Sequence, residues 1–598
     1  MADQVTALAS IAEAPGTAAL KRRRALFAVL VAATMLAVLW LATVAVPPRS
    51  FGAIAFLVLF AVTLPWSVIG FWNAAIGFVI MRFARDPAAA VNPLAASIRG
   101  DEPVTASTAI LMCIRNESPD QVTRNLEPLM AGLEKSSVAH LFHVYLLSDS
   151  SDPGIIADET SCFDAFIAKW QGTIPVTYRR RAVNTAFKSG NIRDFCERWG
   201  NNHEFAIMLD ADSFMPTEAV LRLIRIAQAN PTLGILQTLI IGLPSVSAFA
   251  RVFQFGMRLG MRSYTIGAAW WQGDCGPYWG HNAVIRLAPF IAHCQLPVPK
   301  SGMAGGHILS HDQLEAVLMR RAGYDVRVLP EDGFNWEENP PTLIEFIRRD
   351  LRWCQGNMQY WRFLVMPGLK AVSRCQLGIA ILMFIGSPAW IGMLVLSTLA
   401  VAFAGTPADF VRADAGVALI AFVLVMWFAP MIASALDIYL RADMRRGFGG
   451  AALFTINFAI ELVYSVLLCP VMWFGHTIFL TGLMFGREIG WIGQTRDDHA
   501  VPLSLAVSNL WPHTLLGWSV IGVLAMTHPS AIPYALFLAG GPALSIPFAV
   551  LTALPPVGTA FARIGIGRLP EETDPPAALC TLALPAIELA ARRPHLAA

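Results

Sequence analysis

Phe205–Met215 reads FAIMLDADSFM, and the reading of the fold starts there. Five apolar residues, Phe205 to Leu209, form a short continuous run of the kind that makes a strand buried on both faces. The run ends at Asp210-Ala211-Asp212. Side chains two apart in a strand share a face, so Asp210 and Asp212 are expected to project together. They would do so beyond the carboxyl edge of a sheet, where open α/β sheets bind their ligands. Two carboxylates held that close repel unless a cation sits between or beside them. Their oxygens suit a hard divalent ion, Mg²⁺ or Mn²⁺, completed by substrate phosphates. Read alone, an Asp-rich turn after a strand is the commoner explanation.

Outward from this stretch the same pattern recurs. TAILMCIRNE (Thr108–Glu117) is an apolar strand that stops at a polar turn, and VYLLSDSSD (Val144–Asp152) is a second that ends in acid. Ile174–Tyr178 reads as a third, followed by RRRAVNTAFKSGN. Strands alternating with helical stretches predict a doubly wound, Rossmann-like α/β sheet, each strand delivering polar residues at its carboxyl end. Neither GxGxxG nor GxxxxGK[ST] occurs, so a dinucleotide fold and a P-loop are unsupported.

The 598 residues are 55% hydrophobic and 14% charged, with mean hydropathy +0.53. Soluble domains carry about 25% charged residues, so the composition is that of a membrane protein. A net charge of +2 says little about partners, and without a basic run with interleaved aromatics no nucleic-acid partner is expected. Nine cysteines without CxxC or Cys/His spacing fit reduced thiols. Residues 1–24 read as a disordered tail ending in Lys21-Arg22-Arg23-Arg24, and 25–80 as a transmembrane hairpin with both ends cytoplasmic by the positive-inside rule. The polar block 86–370 holds the α/β domain. Apolar runs between 376 and 552 add about six spans, with 451–486 expected to cross twice because both its flanks are charged, giving roughly eight in all. A single long or interfacial helix there would change that count. Residues 553–598 read as a cytoplasmic tail too short for a domain.

The order NE, SD, KxGN and DxD resembles the GT-A domain of family 2 glycosyltransferases, the processive synthases of cellulose and hyaluronan type. Ser310-His311-Asp312 sits where those enzymes carry an acidic motif ending in the catalytic base, and Arg349-Asp350-Leu351-Arg352-Trp353 where they carry QxxRW. Arg349 in place of Gln and Ser-His before the base depart from that pattern. Those departures, with YWGHNAVIR (Tyr278–Arg286), SHDQLEAVLMRRAGY (Ser310–Tyr324), RDLRWCQGN (Arg349–Asn357) and LPEET (Leu569–Thr573), resemble a narrower group. It comprises the bacterial inner-membrane glucosyltransferases that build the backbone of osmoregulated periplasmic glucans. The resemblance implies a GT-A domain inserted into a helix bundle, UDP-glucose as donor, a growing linear β-1,2-glucan as acceptor and movement of the product toward the periplasm. It also implies a divalent metal and acyl carrier protein as a partner.

By the same resemblance Asp149 contacts the nucleotide and Asp212 binds the metal with Asp210 beside it. Lys188 is a cation suited to a diphosphate, or else a solvated surface lysine. Asn116 and Glu117 lie at the nucleotide end of the first strand, or simply start a helix. Asp312 is the candidate general base that takes the acceptor proton as UDP leaves from the opposite face; it also precedes a helical run and could cap it. Arg352 can grip a pyrophosphate beside Arg349, and Trp353 offers a flat face to a sugar or fills a core. His281 and Asn282 either touch substrate or satisfy backbone groups. Glu461, ionisable in an apolar run, is a channel candidate or a paired assembly residue. Trp390, Trp427 and Trp473 could stack on a glucan or anchor at an interface. Two other readings remain open: a different family 2 polysaccharide synthase, and a non-catalytic glycan exporter or regulator.

Overall fold

The computed structural model describes residues 17–297, 306–403, 410–489 and 498–591. The disordered tail expected for residues 1–16 lies outside them, while residues 17–24, expected in that tail, already belong to helix α1 (Thr17–Ala45). Arg24 explains the early start. Its guanidinium binds the Asp274 carboxylate at 2.5 Å and the Trp271 and Gln272 carbonyls, so the helix is tied to the polar domain. Helix α2 (Phe51–Phe83) returns and packs against α1 through Val38, Ala42, Phe60 and Leu64.

The domain is built on a seven-stranded sheet in the order β3-β2-β1-β4-β8-β6-β9. In chain order these are β1 (Thr108–Ile114), β2 (Phe142–Ser148), β3 (Val176–Arg180), β4 (Phe205–Asp210), β6 (Leu233–Thr238), β8 (Ala283–Arg286) and β9 (Asp325–Leu329). The apolar runs form β1, β2 and β4, which pair in parallel. Only β8 runs antiparallel, between β4 and β6, which makes the sheet mixed rather than wholly parallel. A second sheet joins β5 (Ser213–Phe214), β10 (Trp336–Glu337) and β7 (Ile241–Gly242) in the order β5-β10-β7. It starts directly after Asp212, so it fixes the chain leaving the acidic turn. The third strand begins two residues later than expected because Pro175 has no N–H to donate to the ladder, though its carbonyl accepts from Val144 at 2.9 Å.

Four helices bear on the site: α3 (Phe187–Trp199), α4 (Ala248–Gln272) and α5 (Asp312–Arg321) lie on or beside the sheet, and α6 (Leu343–Met358) follows it. Thr342 caps α6 by accepting from the Glu345 N–H at 3.3 Å. Helix α4 crosses α2 with almost no gap. A Cβ on Gly77 would fall 1.9 Å from the Ser263 carbonyl oxygen, and one on Gly267 would fall 1.9 Å from that of Asn73. Glycine is what lets the two backbones meet.

The remaining apolar helices are α7 (Ala371–Ala402), α8 (Ala413–Tyr439), α9 (Ala451–Met484), α10 (Leu503–Thr527), α11 (Ile532–Ala543) and α12 (Ser545–Thr552). Among the described residues six helices are long and apolar enough to cross a membrane, and the segment containing α11 bends by 55° into α12. The expected eight spans are therefore corrected. Residues 451–484 form one helix, not two, because Pro470 sits inside it without a turn residue to reverse the chain. The C-terminal stretch packs back on the α/β domain. Leu579, Leu582 and Leu584 pack on Phe214, Ile241 and Trp336 of the small sheet. Glu572 pairs with Arg251 of α4 in a buried bridge of 3.0 Å, and Glu571 with Arg258 at 2.9 Å.

Candidate active site

One cleft at the carboxyl edge of β1, β2 and β4 is lined by Glu117, Asp149, Lys188, Asp210, Asp212, His281, Asp312, Arg349, Arg352 and Trp353. These come from seven separate stretches of chain, and the sheet topology is what assembles them. Asp149 follows β2, where its two oxygens accept from Arg181 Nε and Nη2 at 2.6 Å each. Lys188 opens α3 and reaches across to pair with Asp210, while also donating to the Gly280 carbonyl at 2.8 Å. Burial pushes the Asp210 pKa up and that of Lys188 down, but each opposite charge outweighs it, so Asp210 is net lowered and Lys188 net raised. The pair stays ionised. Burial lifts the neighbouring Cys113 thiol to about 12, so it stays protonated.

Asp210 and Asp212 thus have different surroundings. Asp210 is neutralised by lysine, whereas Asp212 lies past the strand end with its carbonyl accepting from Glu338 N–H at 3.2 Å. Its side chain shares the cleft with Glu337, whose carboxylate lies 3.5 Å from His281 Nε2. No group of three His, Cys, Asp or Glu side chains among the described residues is placed to hold a metal by itself. That donor set fits an ion of the Mg²⁺ kind, which takes one or two carboxylates and obtains its other oxygens from water and substrate phosphates.

Asp312 begins α5 and does not cap it; the N-cap position falls to His311, with no side-chain cap hydrogen bond. Its carboxylate faces Gly280, whose φ of +85° and missing Cβ give it room: a Cβ there would lie 2.9 Å from Asp312 Cγ. Buried His311 stands between two acids, with Nδ1 2.9 Å from Glu315 and Nε2 3.4 Å from Asp312. Burial pulls its pKa down, yet Glu315 and Asp312 outweigh burial and the net direction is upward. Gly356 lets α6 press on this loop, since a Cβ would lie 2.3 Å from Ser310 Oγ. Tyr360 Oη donates to the Ser310 carbonyl at 2.8 Å. Arg349 stacks its guanidinium 4.8 Å from the Trp353 ring centroid, which leaves Trp353 about half exposed at the cleft mouth.

Three expected residues stand elsewhere. Asn116, at φ +58°, uses its side-chain oxygen to accept from the Ser151 and Asp152 N–H groups at 2.9 and 3.1 Å, shaping the loop instead of lining the cleft. Asn282 is fully buried, at φ +51°, and its side chain donates to Asn335 at 3.1 Å. Glu461 faces Gly256 of α4, where any Cβ would collide with it, and accepts from Ser465 at 2.8 Å. It belongs to the α4–α9 contact. Sequence reasoning missed Arg115, Asn184, His311 and Glu337, all in the cleft, and Arg181 behind Asp149. His311 was adjacent to a candidate, but nothing in the sequence pointed to Glu337.

Residues 205–436, from β4 into α8, match the family model described as glycosyl transferase family group 2. The relatives then narrow the comparison. The chain is 35% identical over 547 residues to a Citrobacter koseri protein named glucans biosynthesis glucosyltransferase H, covering 88% of this chain and 63% of that one. It is 34% identical over 537 residues to one of the same name from Pseudomonas paraeruginosa, covering 87% and 62%. The chain thus spans less than two thirds of the length of these curated relatives. A solved mannosyltransferase from Pyrobaculum calidifontis, in complex with GDP-Man and Mn²⁺, is 15% identical with a TM-score of 0.36 and covers 62% of this chain and 98% of that one.

Proposed function

We propose that the chain is an inverting glucosyltransferase that transfers glucose from UDP-glucose to a growing glucan, with a linear β-1,2 backbone and delivery across the bacterial inner membrane. The observation that carries this reading is the single cleft in which an acidic turn, a buried lysine, two arginines, a tryptophan and Asp312 converge. Asp312 accepts the proton of the attacking acceptor hydroxyl, held in place by Gly280 and the His311–Glu315 pair. Arg349, Arg352 and Lys188 line the side where a diphosphate departs, and their positive charge opposes its build-up of negative charge. Asp212, with Asp210 beside it, would hold a divalent ion, Mg²⁺ or Mn²⁺, which stabilises the leaving diphosphate when bound. Glu117 and the Asp149–Arg181 pair occupy the end expected to receive the nucleoside, and His281 the middle. Trp353, half exposed, offers its face to the acceptor sugar. Keeping the chain end beside the donor makes each later addition effectively intramolecular. The catalytic domain and both termini are assigned to the cytoplasm, with acyl carrier protein as an accessory partner.

The test is turnover of UDP-glucose by the purified protein in a bilayer with Mg²⁺, beside Asp312→Asn, with the product digested by a β-1,2-specific glucanase. Digestible polymer from the wild type and none from the variant is the expected result. Resistant polymer would overturn the linkage, and equal turnover by the variant would overturn the base. Glucan in the lumen of vesicles supplied with external UDP-glucose is the expected sign of export.

A further inference from the structure

Asp350 lies between Arg349 and Arg352 in α6, yet it is not part of the cleft. Its carboxylate pairs with His476 Nε2 of α9, and His476 Nδ1 lies 2.9 Å from Ser387 Oγ of α7. Ser387 and His476 are buried, and Phe384 of α7 meets the imidazole edge-on at 5.0 Å between ring centroids. A carboxylate only accepts, so Nε2 carries a hydrogen; in the neutral ring Nδ1 then accepts from the serine hydroxyl. One side chain therefore links three helices, one from the catalytic domain and two from the apolar bundle.

The next layer of the same contact is aromatic. Trp390 follows Ser387 by three residues in α7, and Trp473 precedes His476 by three in α9, the spacing that places side chains on one helix face. Trp390 and Trp473 stack at 5.0 Å, and Trp473 stacks on Trp427 of α8 at 4.8 Å. The polar chain and the tryptophan stack are thus consecutive rungs of one α7–α9 interface. Arg352 lies about 200° around α6 from Asp350, so a bond that points Asp350 at the bundle turns Arg352 toward the cleft.

We infer that Ser387–His476–Asp350 is a latch that sets the rotation of α6, and so positions Arg349, Arg352 and Trp353 for the diphosphate of the donor, from within the membrane bundle. His476 and Ser387 are positioning residues; neither lines the cleft. The inference rests on the transferase reading above. Any shift of the tryptophan rung along α7 or α9 is transmitted to the donor site through His476.

The experiment uses the full chain in lipid nanodiscs and measures UDP affinity by titration together with kcat and KM for UDP-glucose. His476→Ala is expected to raise KM and the Kd for UDP at least tenfold, with a smaller change in kcat. His476→Gln keeps one donor and one acceptor at the ring's positions and is expected to recover to within threefold of wild type. Ser387→Ala, which removes one hydrogen bond and leaves little space, is expected to raise KM about threefold in a normally folded protein. Wild-type KM and UDP affinity in both alanine variants would refute the latch, as would a glutamine variant no better than alanine. A wild type that neither binds UDP nor turns over UDP-glucose would instead refute the transferase reading itself.

Discussion

Gly280→Ala puts the geometry around Asp312 under a direct test. The added Cβ would stand 2.9 Å from Asp312 Cγ and 3.1 and 3.2 Å from its two oxygens, where ordinary contact begins at 3.4 Å. The carboxyl group must retreat by about 0.5 Å, the difference between the ordinary contact and 2.9 Å. A misplacement of 1 Å costs a reaction on the order of 100-fold, so half of it is worth roughly 10-fold in kcat, about 1.4 kcal/mol. Alanine at φ +85° adds roughly 1–2 kcal/mol of backbone strain, a loss of a few degrees in Tm for a domain of this size. UDP release under saturating donor, with thermal unfolding on the same sample, reads both numbers. KM for UDP-glucose should hold, because Asp312 does not grip the donor. A kcat within twofold of wild type beside the expected fall in Tm would mean that Asp312 is not the group taking the proton.

Further outcomes follow from other contacts. The raised pKa of His311 means that its imidazolium contributes stability fully below its ordinary value of 6.5, and that this is lost as pH rises through the higher folded-state value. Glu315→Gln should reverse the sign at this site, so that acidification instead costs stability; Tm measured between pH 6 and 9 checks it, and parallel profiles for the two proteins would refute it. Gly77→Ala and Gly267→Ala must each part α2 from α4 by more than about 1 Å, since their Cβ atoms would sit 1.9 Å from carbonyl oxygens, with roughly 1–3 kcal/mol lost. An unchanged Tm in nanodiscs would contradict the close crossing. Leu582→Asp buries a carboxylate against Trp336 and should cost several kcal/mol, loosening the small sheet after Asp212 and lowering kcat; wild-type turnover would show that the tail does not support the acidic turn.

Much of the α/β domain was legible because its central strands are continuous apolar runs that end in charge, a local signal with one structural meaning. The acidic turn, Lys188 and the α5 and α6 motifs could be read as chemistry for the same reason. What escaped was set by distance in the chain. Arg181 takes Asp149 across the sheet edge, and Glu337 reaches the cleft on a two-residue strand too short for any periodicity. The antiparallel β8 and the docking of Leu582 on Trp336 are tertiary facts with no local trace. Asn282 misled because a polar residue in a polar motif reads as binding, whereas its positive φ and its bond to Asn335 make it a backbone device. The 451–486 stretch misled because its length and flanking charge suggested two passages, whereas Ala451–Met484 is one continuous helix with Pro470 inside it.

The single helix over that stretch is held at both ends. Near its start Phe454 of α9 rests on Phe255 of α4 and Asn457 donates to the Gly565 carbonyl at 3.0 Å. Near its end Phe479 and Leu483 join the cluster of Met358 and Tyr360, and beyond it Ile489 N–H donates to Gln355 of α6 at 2.8 Å. Both tips touch the α/β domain. A helix held at both ends by one body shares that body's movements along its whole length, however apolar its surface. The segment from Leu569 to Leu584, which follows the apolar helices, is fastened to the same body through Arg251 and Trp336.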